Sequence, residues 1–164
     1  MNIQPRVGVA AGAKTPDETV LERCKELKKQ IPEIIDKSLG KKEMFKENKQ
    51  GLIPSLSTVL VQEMQRFNKL LRVIRSSLNN LKKAIKGFIV MSEELDSMYI
   101  RILNGQVPKN WEKVAYLSLK PLSSWYADLI ERVAFMDSWL KDGQPNAFWI
   151  SGFFFPQGFM TGCL

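Results

Sequence analysis

The spacing in this sequence that most resembles a catalytic motif is a near match to a phosphate-binding loop. From Gly8 the sequence reads GVAAGAKT, so Lys14 and Thr15 stand where the pattern G-x-x-x-x-G-K-[S/T] has its lysine and its hydroxyl. However, the second glycine of the pattern is Ala13, a proline follows directly, and no hydrophobic strand precedes. A phosphate cradle needs backbone N–H groups that converge on the anion after a strand. We therefore interpret residues 1–14 as a flexible linker and expect this loop neither to bind nor to hydrolyse ATP.

The residue types limit other chemistry. Histidine is absent from the sequence, which removes Ser-His and Cys-His pairs and the usual zinc ligands. The two cysteines, Cys24 and Cys163, lie far apart and are interpreted as reduced thiols. Glu93, Glu94 and Asp96 are close in sequence, but successive residues of a helix point apart. We expect no catalytic residue, no cofactor-binding residue and no metal ligand in this protein.

The composition fits one globular domain of ordinary size. The sequence has 164 residues, of which 45% are hydrophobic and 25% are charged. The first twenty residues contain no continuous apolar core after a basic start, and later apolar stretches are too short to span a bilayer. We therefore expect no signal peptide and no membrane association.

Positive charge is concentrated in one part of the sequence. The net charge is +7, and residues 62–90 contain a single acid, Glu63. The basic residues of that range are Arg66, Lys69, Arg72, Arg75, Lys82, Lys83 and Lys86. Such a series could follow a phosphate backbone, face an acidic neighbour or simply be solvated. No recognised nucleic-acid module accompanies it, so a basic helical module that binds nucleic acid or another partner is the alternative and not the preferred interpretation.

The first helix is marked by its capping residues. Thr15 at the N-cap, Pro16 at the first helical position and Glu18 at the third form a capping box. This predicts a helix from Pro16 to about Gln30, which Pro32 should interrupt. Leu39 and Gly40 should end the second part, and the Lys/Glu-rich residues 40–52 are typical of a solvated loop or a short exposed helix.

The strongest pattern predicts one long amphipathic helix from about Pro54. Its apolar residues fall within an arc of roughly 120° at 100° per residue. They are Leu56, Val59, Leu60, Phe67, Leu70, Leu71, Ile74, Leu78, Leu81, Ile85, Phe88 and Ile89. The helix would have about 35 residues and be on the order of 50 Å long. That length favours a strut that crosses a larger assembly.

Three further helices are predicted by their ends. Ser92 should begin a helix that ends at Asn104 and Gly105, and Asn110 should cap a short helix that carries Trp111. Pro121 should open another, closed by Asp142 and Gly143. The residues that share a face of this last helix are Leu122, Trp125, Tyr126, Leu129, Val133, Met136 and Leu140. Because no segment alternates with a period of two, we predict an all-α fold, an elongated helical array built around the long helix.

The end of the sequence is aromatic and uncharged. Residues 148–159 include six aromatic side chains, and residues 143–164 carry no charge. A surface of this kind would be adhesive unless covered, so we expect the polypeptide to continue beyond Leu164. The candidate docking surface consists of Trp149, Phe153, Phe154, Phe155 and Phe159.

Several motifs in fixed order resemble a known family. They are IQPR at residues 3–6, VLVQEMQRFNKLL at 59–71, LNGQVP at 103–108, Trp111, SLKPL at 118–122 ahead of Trp125, and FWISGFFFPQGFMTG at 148–162. Together they resemble the C-terminal region of axonemal, that is ciliary, dynein heavy chains. The resemblance covers nearly the whole sequence and is weakest at residues 31–51.

The resemblance implies a fold and a role that the residue patterns alone do not. Dynein heavy chains are minus-end-directed microtubule motors whose ring of six AAA+ modules hydrolyses ATP. The C-terminal region packs on that ring, and residues 15–164 would form its helical part, stopping before a β-rich part. ATP and magnesium would bind elsewhere in the parent motor, which implies no cofactor here. The implied partners are the ring modules, the β-rich part, and dynein intermediate and light chains, in the cytoskeleton of a cilium or flagellum.

Overall fold

The structure, a computed structural model, describes residues 14–40, 46, 55–143, 145, 147–157 and 160. Every regular element in these ranges is a helix and none is a strand, so the predicted all-α class is confirmed. Most of the predicted linker at residues 1–14, most of the predicted loop at residues 40–52, and Phe159 and Cys163 lie outside the described residues.

Helix α1 spans Pro16–Gln30, as its capping residues predict. The Thr15 side chain accepts a hydrogen bond from the Glu18 amide at 3.2 Å, and Pro16 begins the helix without needing an amide partner. The backbone then runs extended through Pro32 to a short 3₁₀ turn at Lys37–Leu39, which Gly40 ends.

Helix α2 spans Ser55–Ile85. It covers the predicted range from about Pro54 to Ile85, but it is shorter than predicted at its C-terminal end. Gly87 adopts a φ of 83°, and the Phe88 amide donates to the Lys83 carbonyl at 2.8 Å. This is the hydrogen bond of a Schellman cap, which needs a residue that tolerates positive φ. Phe88 is therefore 76% exposed in a loop, and placing it and Ile89 on the helix was wrong.

The remaining helices are α3 at Glu93–Leu103, α4 at Lys109–Glu112 and α5 at Leu122–Asp142. Ser92 caps α3 by accepting from the Leu95 amide at 3.2 Å, and Gly143, with a φ of 94°, follows α5. These boundaries confirm the prediction. The prediction that Asn110 caps α4 was wrong, because the helix begins two residues earlier than predicted and Asn110 lies inside it.

Helix α2 is the element on which the others pack, because it contacts α1, α3, α4 and α5. Its apolar face is buried from Val59 to Leu81, as predicted. Trp111 of α4 is fully buried and stacks on Trp125 of α5, with ring centroids 5.9 Å apart. The predicted face of α5 is buried throughout. That the array as a whole is elongated stays a prediction.

Buried polar groups fix the irregular segment after α1. The Asn68 side chain of α2 accepts from the Ile35 amide at 2.8 Å and donates to the Ile35 carbonyl at 2.9 Å. The Tyr126 hydroxyl of α5 donates to the Leu27 carbonyl at 2.6 Å, near the end of α1. The Asn68 contact satisfies backbone groups of an extended segment that no helix pairs, whereas the Leu27 carbonyl also accepts from the Ile31 amide at 3.0 Å.

Candidate docking site

The structure divides the predicted docking residues among different environments. Phe153 is buried, Trp149 and Phe154 are half-buried, Phe155 is exposed, and Phe159 lies outside the described residues. The aromatic segment is therefore partly an internal element of this fold, and only part of it faces outward. Whether the outward part docks on a partner stays a prediction.

Phe153 belongs to the core. Its ring is 1% exposed and contacts Phe135 and Trp139 of α5, with centroids 6.2 and 6.1 Å apart. Edge-to-face aromatic pairs of this kind are stabilising beyond the area that they bury. For Phe153 the structure replaces the docking interpretation with a packing role, because α5 supplies an aromatic face that sequence periodicity did not connect with this segment.

Gly152 fixes the turn that brings these rings into place. It closes the 3₁₀ turn Ile150–Gly152, and its amide donates to the Trp149 carbonyl at 2.9 Å. A Cβ atom at this position would overlap the Trp149 indole. Trp149 itself meets Phe135 edge-on at 6.3 Å. The small residue is thus required by the close approach of the indole.

Phe154 and Phe155 point to opposite environments. The Phe154 ring lies edge-on to Phe67 of α2 at 5.3 Å and to Tyr116 at 5.5 Å. Phe155 is 43% exposed, and the Arg66 guanidinium lies over its ring at 5.0 Å from the centroid. Of the predicted docking residues that are described, Phe155 is the one with the most accessible ring.

Glu63 holds the aromatic segment against α2. Its side chain is buried, and its two carboxylate oxygens accept hydrogen bonds from the backbone amides of Phe154 and Phe155, the second at 3.0 Å. Arg66 lies one turn further along the helix, at 3.4 Å from the carboxylate. This contact joins residues about ninety positions apart, and it orders the segment through backbone groups that lie outside any helix or sheet.

The environment of Glu63 disfavours its charge. Burial raises the pKa of this carboxyl group, while the two amide donors and the Arg66 guanidinium act in the opposite direction. Sequence reasoning noted Glu63 only as the single acid of a basic region. The sequence feature that could have indicated this role is the position of Glu63 on the apolar face of α2, three residues after Leu60 and four before Phe67. An isolated acid at such a position needs a buried partner.

A second charged side chain, the half-buried Arg132, supports the same segment from α5. Arg132 donates from Nε to the Asp128 carboxylate at 2.7 Å and from Nη1 to the Phe153 carbonyl at 3.2 Å. Its guanidinium also lies 3.8 Å from the centroid of the Tyr116 ring. Burial raises the pKa of the Tyr116 hydroxyl beyond the range in which tyrosine normally titrates. Arg132 and Glu63 thus fix the segment on two sides, and sequence reasoning identified neither role.

Lys14 and Thr15, the two described residues of the sequence that resembles a phosphate-binding loop, form contacts at the N-terminus of α1. The Lys14 ammonium forms an ion pair with Glu22, and the Thr15 hydroxyl caps the helix. The hydroxyl of Thr19 donates to the Thr15 carbonyl at 3.0 Å. These contacts account for both residues as parts of a helix N-terminus.

The described residues provide no support for a metal site or for a membrane-spanning helix. Glu93, Glu94 and Asp96 are exposed on α3, and no group of three or more potential ligand side chains among the described residues is arranged to hold a metal ion. None of the helices in the described part is both long and apolar enough to cross a bilayer. Cys24 is buried, and burial raises the pKa of its thiol to about 12, which keeps it protonated.

Comparison with known proteins finds one family and several curated relatives. The family model that describes the C-terminal domain of the dynein heavy chain matches residues 1–164. The sequence is 49% identical to human Dynein axonemal heavy chain 6 and 43% identical to rat Dynein axonemal heavy chain 1, in each case over 100% of this protein and 4% of the relative. It is 42% identical to human Dynein axonemal heavy chain 3 over 96% of its own length and 4% of the relative. The protein thus spans about 4% of the length of these relatives.

Proposed function

Because this protein belongs to the family formed by the C-terminal domain of dynein heavy chains, we propose that it is a structural and regulatory part of an axonemal dynein motor that packs on the AAA+ ring. The observation that carries the proposal is the family match over residues 1–164, together with curated relatives that are axonemal heavy chains. The C-terminal domain is a non-catalytic part of the heavy chain.

The chemistry of the motor then belongs to other parts of the parent polypeptide. ATP and magnesium would bind in AAA+ modules, and this domain would contribute no nucleotide contact. The contacts of Lys14 with Glu22 and of Thr15 with the Glu18 amide support that assignment, because they place both residues at the N-terminus of α1. The parent would be a minus-end-directed microtubule motor.

The proposed partners follow from this place in the motor. They are the AAA+ ring modules and a following β-rich part of the same heavy chain, with intermediate and light chains in the complete complex. The proposed location is the axoneme of a cilium or flagellum, which the names of the relatives support. Exposed apolar side chains in loops, including Phe88, Val90, Leu117 and Leu119, supply surface for such contacts.

The packing of α2 suggests how the domain contributes to the mechanism. The helix contacts α1, α3, α4 and α5, so its position cannot shift without rearranging the core. A stiff element that bridges ring modules can bias their relative positions as they move during ATP hydrolysis. The domain would therefore couple modules mechanically without chemistry of its own.

We expect the protein to bind in trans to a ring that lacks its own C-terminal region. A suitable ring is that of human Dynein axonemal heavy chain 6, ended before the region that this sequence matches. Phe155→Ala should weaken the binding roughly tenfold, since a half-exposed aromatic ring can be a substantial contact at an interface. Biolayer interferometry with the immobilised 164-residue protein measures the dissociation constants.

The matched control is Ile100→Ala, which removes an exposed apolar side chain from α3. It should change the dissociation constant less than about twofold, as most contacts outside a hot spot do. If the unsubstituted protein fails to bind the ring, the proposed packing is wrong. If both variants bind as the unsubstituted protein does, the aromatic end is not part of the contact.

A further inference from the structure

A groove lies along the exposed side of α2, away from the aromatic segment. Its volume is about 350 Å³, and it is formed between the helix and the extended segment after α1. The residues that line it are Ile34, Arg72, Arg75, Ser76, Asn79, Asn80 and Lys83. It therefore combines three cations, several hydrogen-bonding groups and one exposed apolar side chain.

The cations of the groove are largely unneutralised. Arg75 lies 3.9 Å from Glu33 and also donates to the Pro32 carbonyl at 3.4 Å, so the fold engages it. Within the described ranges, no carboxylate forms an ion pair with Arg72 or Lys83. The single acid of α2, Glu63, is buried at the aromatic segment and does not face the groove. Arg72 and Lys83 are both exposed, and among the described residues neither has an acidic partner.

The spacing of these charges fits a helical ligand. Arg72 and Lys83 are eleven positions apart on one helix, which places them on the same face and about 16 Å apart. Two carboxylates eleven positions apart on a neighbouring helix have the same spacing. Arginine pairs with a planar carboxylate through two parallel hydrogen bonds. Ile34, at the wall of the groove, suits an apolar side chain that a phosphodiester backbone does not provide.

We propose that this groove binds an acidic helical segment of the parent heavy chain, through Arg72 and Lys83. This inference rests on the proposed function, which makes the protein part of a longer heavy chain. The protein spans about 4% of the length of its relatives, and the acidic segment would lie in the remainder of such a polypeptide. The basic face of α2 is then an intramolecular docking surface and not a nucleic-acid interface.

The test uses a defined probe and the intact 164-residue protein. The probe is an 18-residue alanine-based helical peptide with glutamates at positions 3, 7 and 14 and leucine at position 10, and the reference peptide has glutamine in place of each glutamate. We expect saturable binding of the glutamate peptide by fluorescence anisotropy. Arg72→Gln combined with Lys83→Gln should weaken it roughly tenfold, since charge-assisted contacts are lost.

The control replaces two exposed lysines outside the groove, Lys29→Gln and Lys113→Gln, and so changes the net charge by the same amount as the test variant. It should change the affinity less than about twofold, because neither lysine lines the groove. Circular dichroism should report the same helix content for both double variants. Equal binding of the two peptides, or an equal loss in both double variants, would show that only net charge acts and would overturn the proposal. Tighter binding to a 20-base-pair DNA duplex than to the glutamate peptide would overturn it in favour of nucleic acid. A protein that binds the ring but not the peptide would leave the proposed function standing and remove this inference.

Discussion

Glu63→Ala should lower the free energy of unfolding by about 3 kcal/mol and release the aromatic segment from α2. The substitution removes the acceptor of two part-buried hydrogen bonds, from the amides of Phe154 and Phe155, and a hydrogen bond to a charged group contributes about 1.5–3 kcal/mol. Urea unfolding followed by circular dichroism measures the change. Tryptophan fluorescence should report the release, because Trp149 lies in the same segment.

Glu63→Gln removes the titratable group but keeps one acceptor oxygen, so it also loses one of the two amide hydrogen bonds, and the pH dependence of its effect reports the charge. Burial raises the pKa of Glu63 in the folded state, so the folded protein holds this proton more tightly than the unfolded polypeptide does. Its contribution to stability is therefore greatest at acid pH and is lost as pH rises through the folded-state pKa. The difference in unfolding free energy between the unsubstituted protein and the glutamine variant should shift against the unsubstituted protein over that rise. A pH-independent difference, or an alanine variant within about 0.5 kcal/mol of the unsubstituted protein, would contradict the role of Glu63.

Leu78→Pro should prevent stable folding. Leu78 lies fully buried in the second half of α2, where proline removes an amide donor and collides with the preceding turn at a cost of about 3 kcal/mol or more. Loss of the leucine packing adds to that cost. Because the free energy of unfolding of such domains is roughly 5–15 kcal/mol, the two costs together remove a large part of it. Circular dichroism at 222 nm should fall by far more than one helical turn.

Leu78→Ala is the matched control for this experiment. It leaves a cavity at the same position, with an expected cost of about 2–5 kcal/mol, but it keeps the amide and the helix. The alanine variant should therefore show nearly full helix content at low temperature. A proline variant with the same helix content as the alanine variant would show that α2 does not need to be continuous at this point.

Local sequence determined where most helices begin and end. Thr15, Ser92 and Gly143 act through hydrogen bonds or φ preferences within a few residues of themselves, so their effects could be predicted without knowledge of the fold. The apolar faces of α2 and α5 likewise followed from a period of 3.6 residues. The motif order at residues 59–71 and 148–162 was also enough to indicate the family, which the family match confirms.

Two helix ends differ from the sequence prediction, the C-terminal end of α2 and the start of α4, because another local residue set the boundary. The apolar arc continues to Phe88 and Ile89, but Gly87 ends the helix first by adopting positive φ in a Schellman cap. Asn110 is a good capping residue, yet Pro108 is the N-cap of α4, and its carbonyl accepts the first helical hydrogen bond, from the Glu112 amide at 3.1 Å. In both places more than one residue type fits, and periodicity or capping preference alone does not rank them.

Tertiary structure alone decided which rings of the aromatic end are buried inside this protein. An uncharged run of rings predicts burial, but not whether the covering surface lies inside this protein or on a partner. The answer depends on contacts across about ninety positions, from Glu63 to the amides of Phe154 and Phe155, and on α5, which presents Arg132 to the Phe153 carbonyl. Sequence periodicity describes one element at a time, whereas a buried carboxylate such as that of Glu63 is stable only where a distant element supplies its partners.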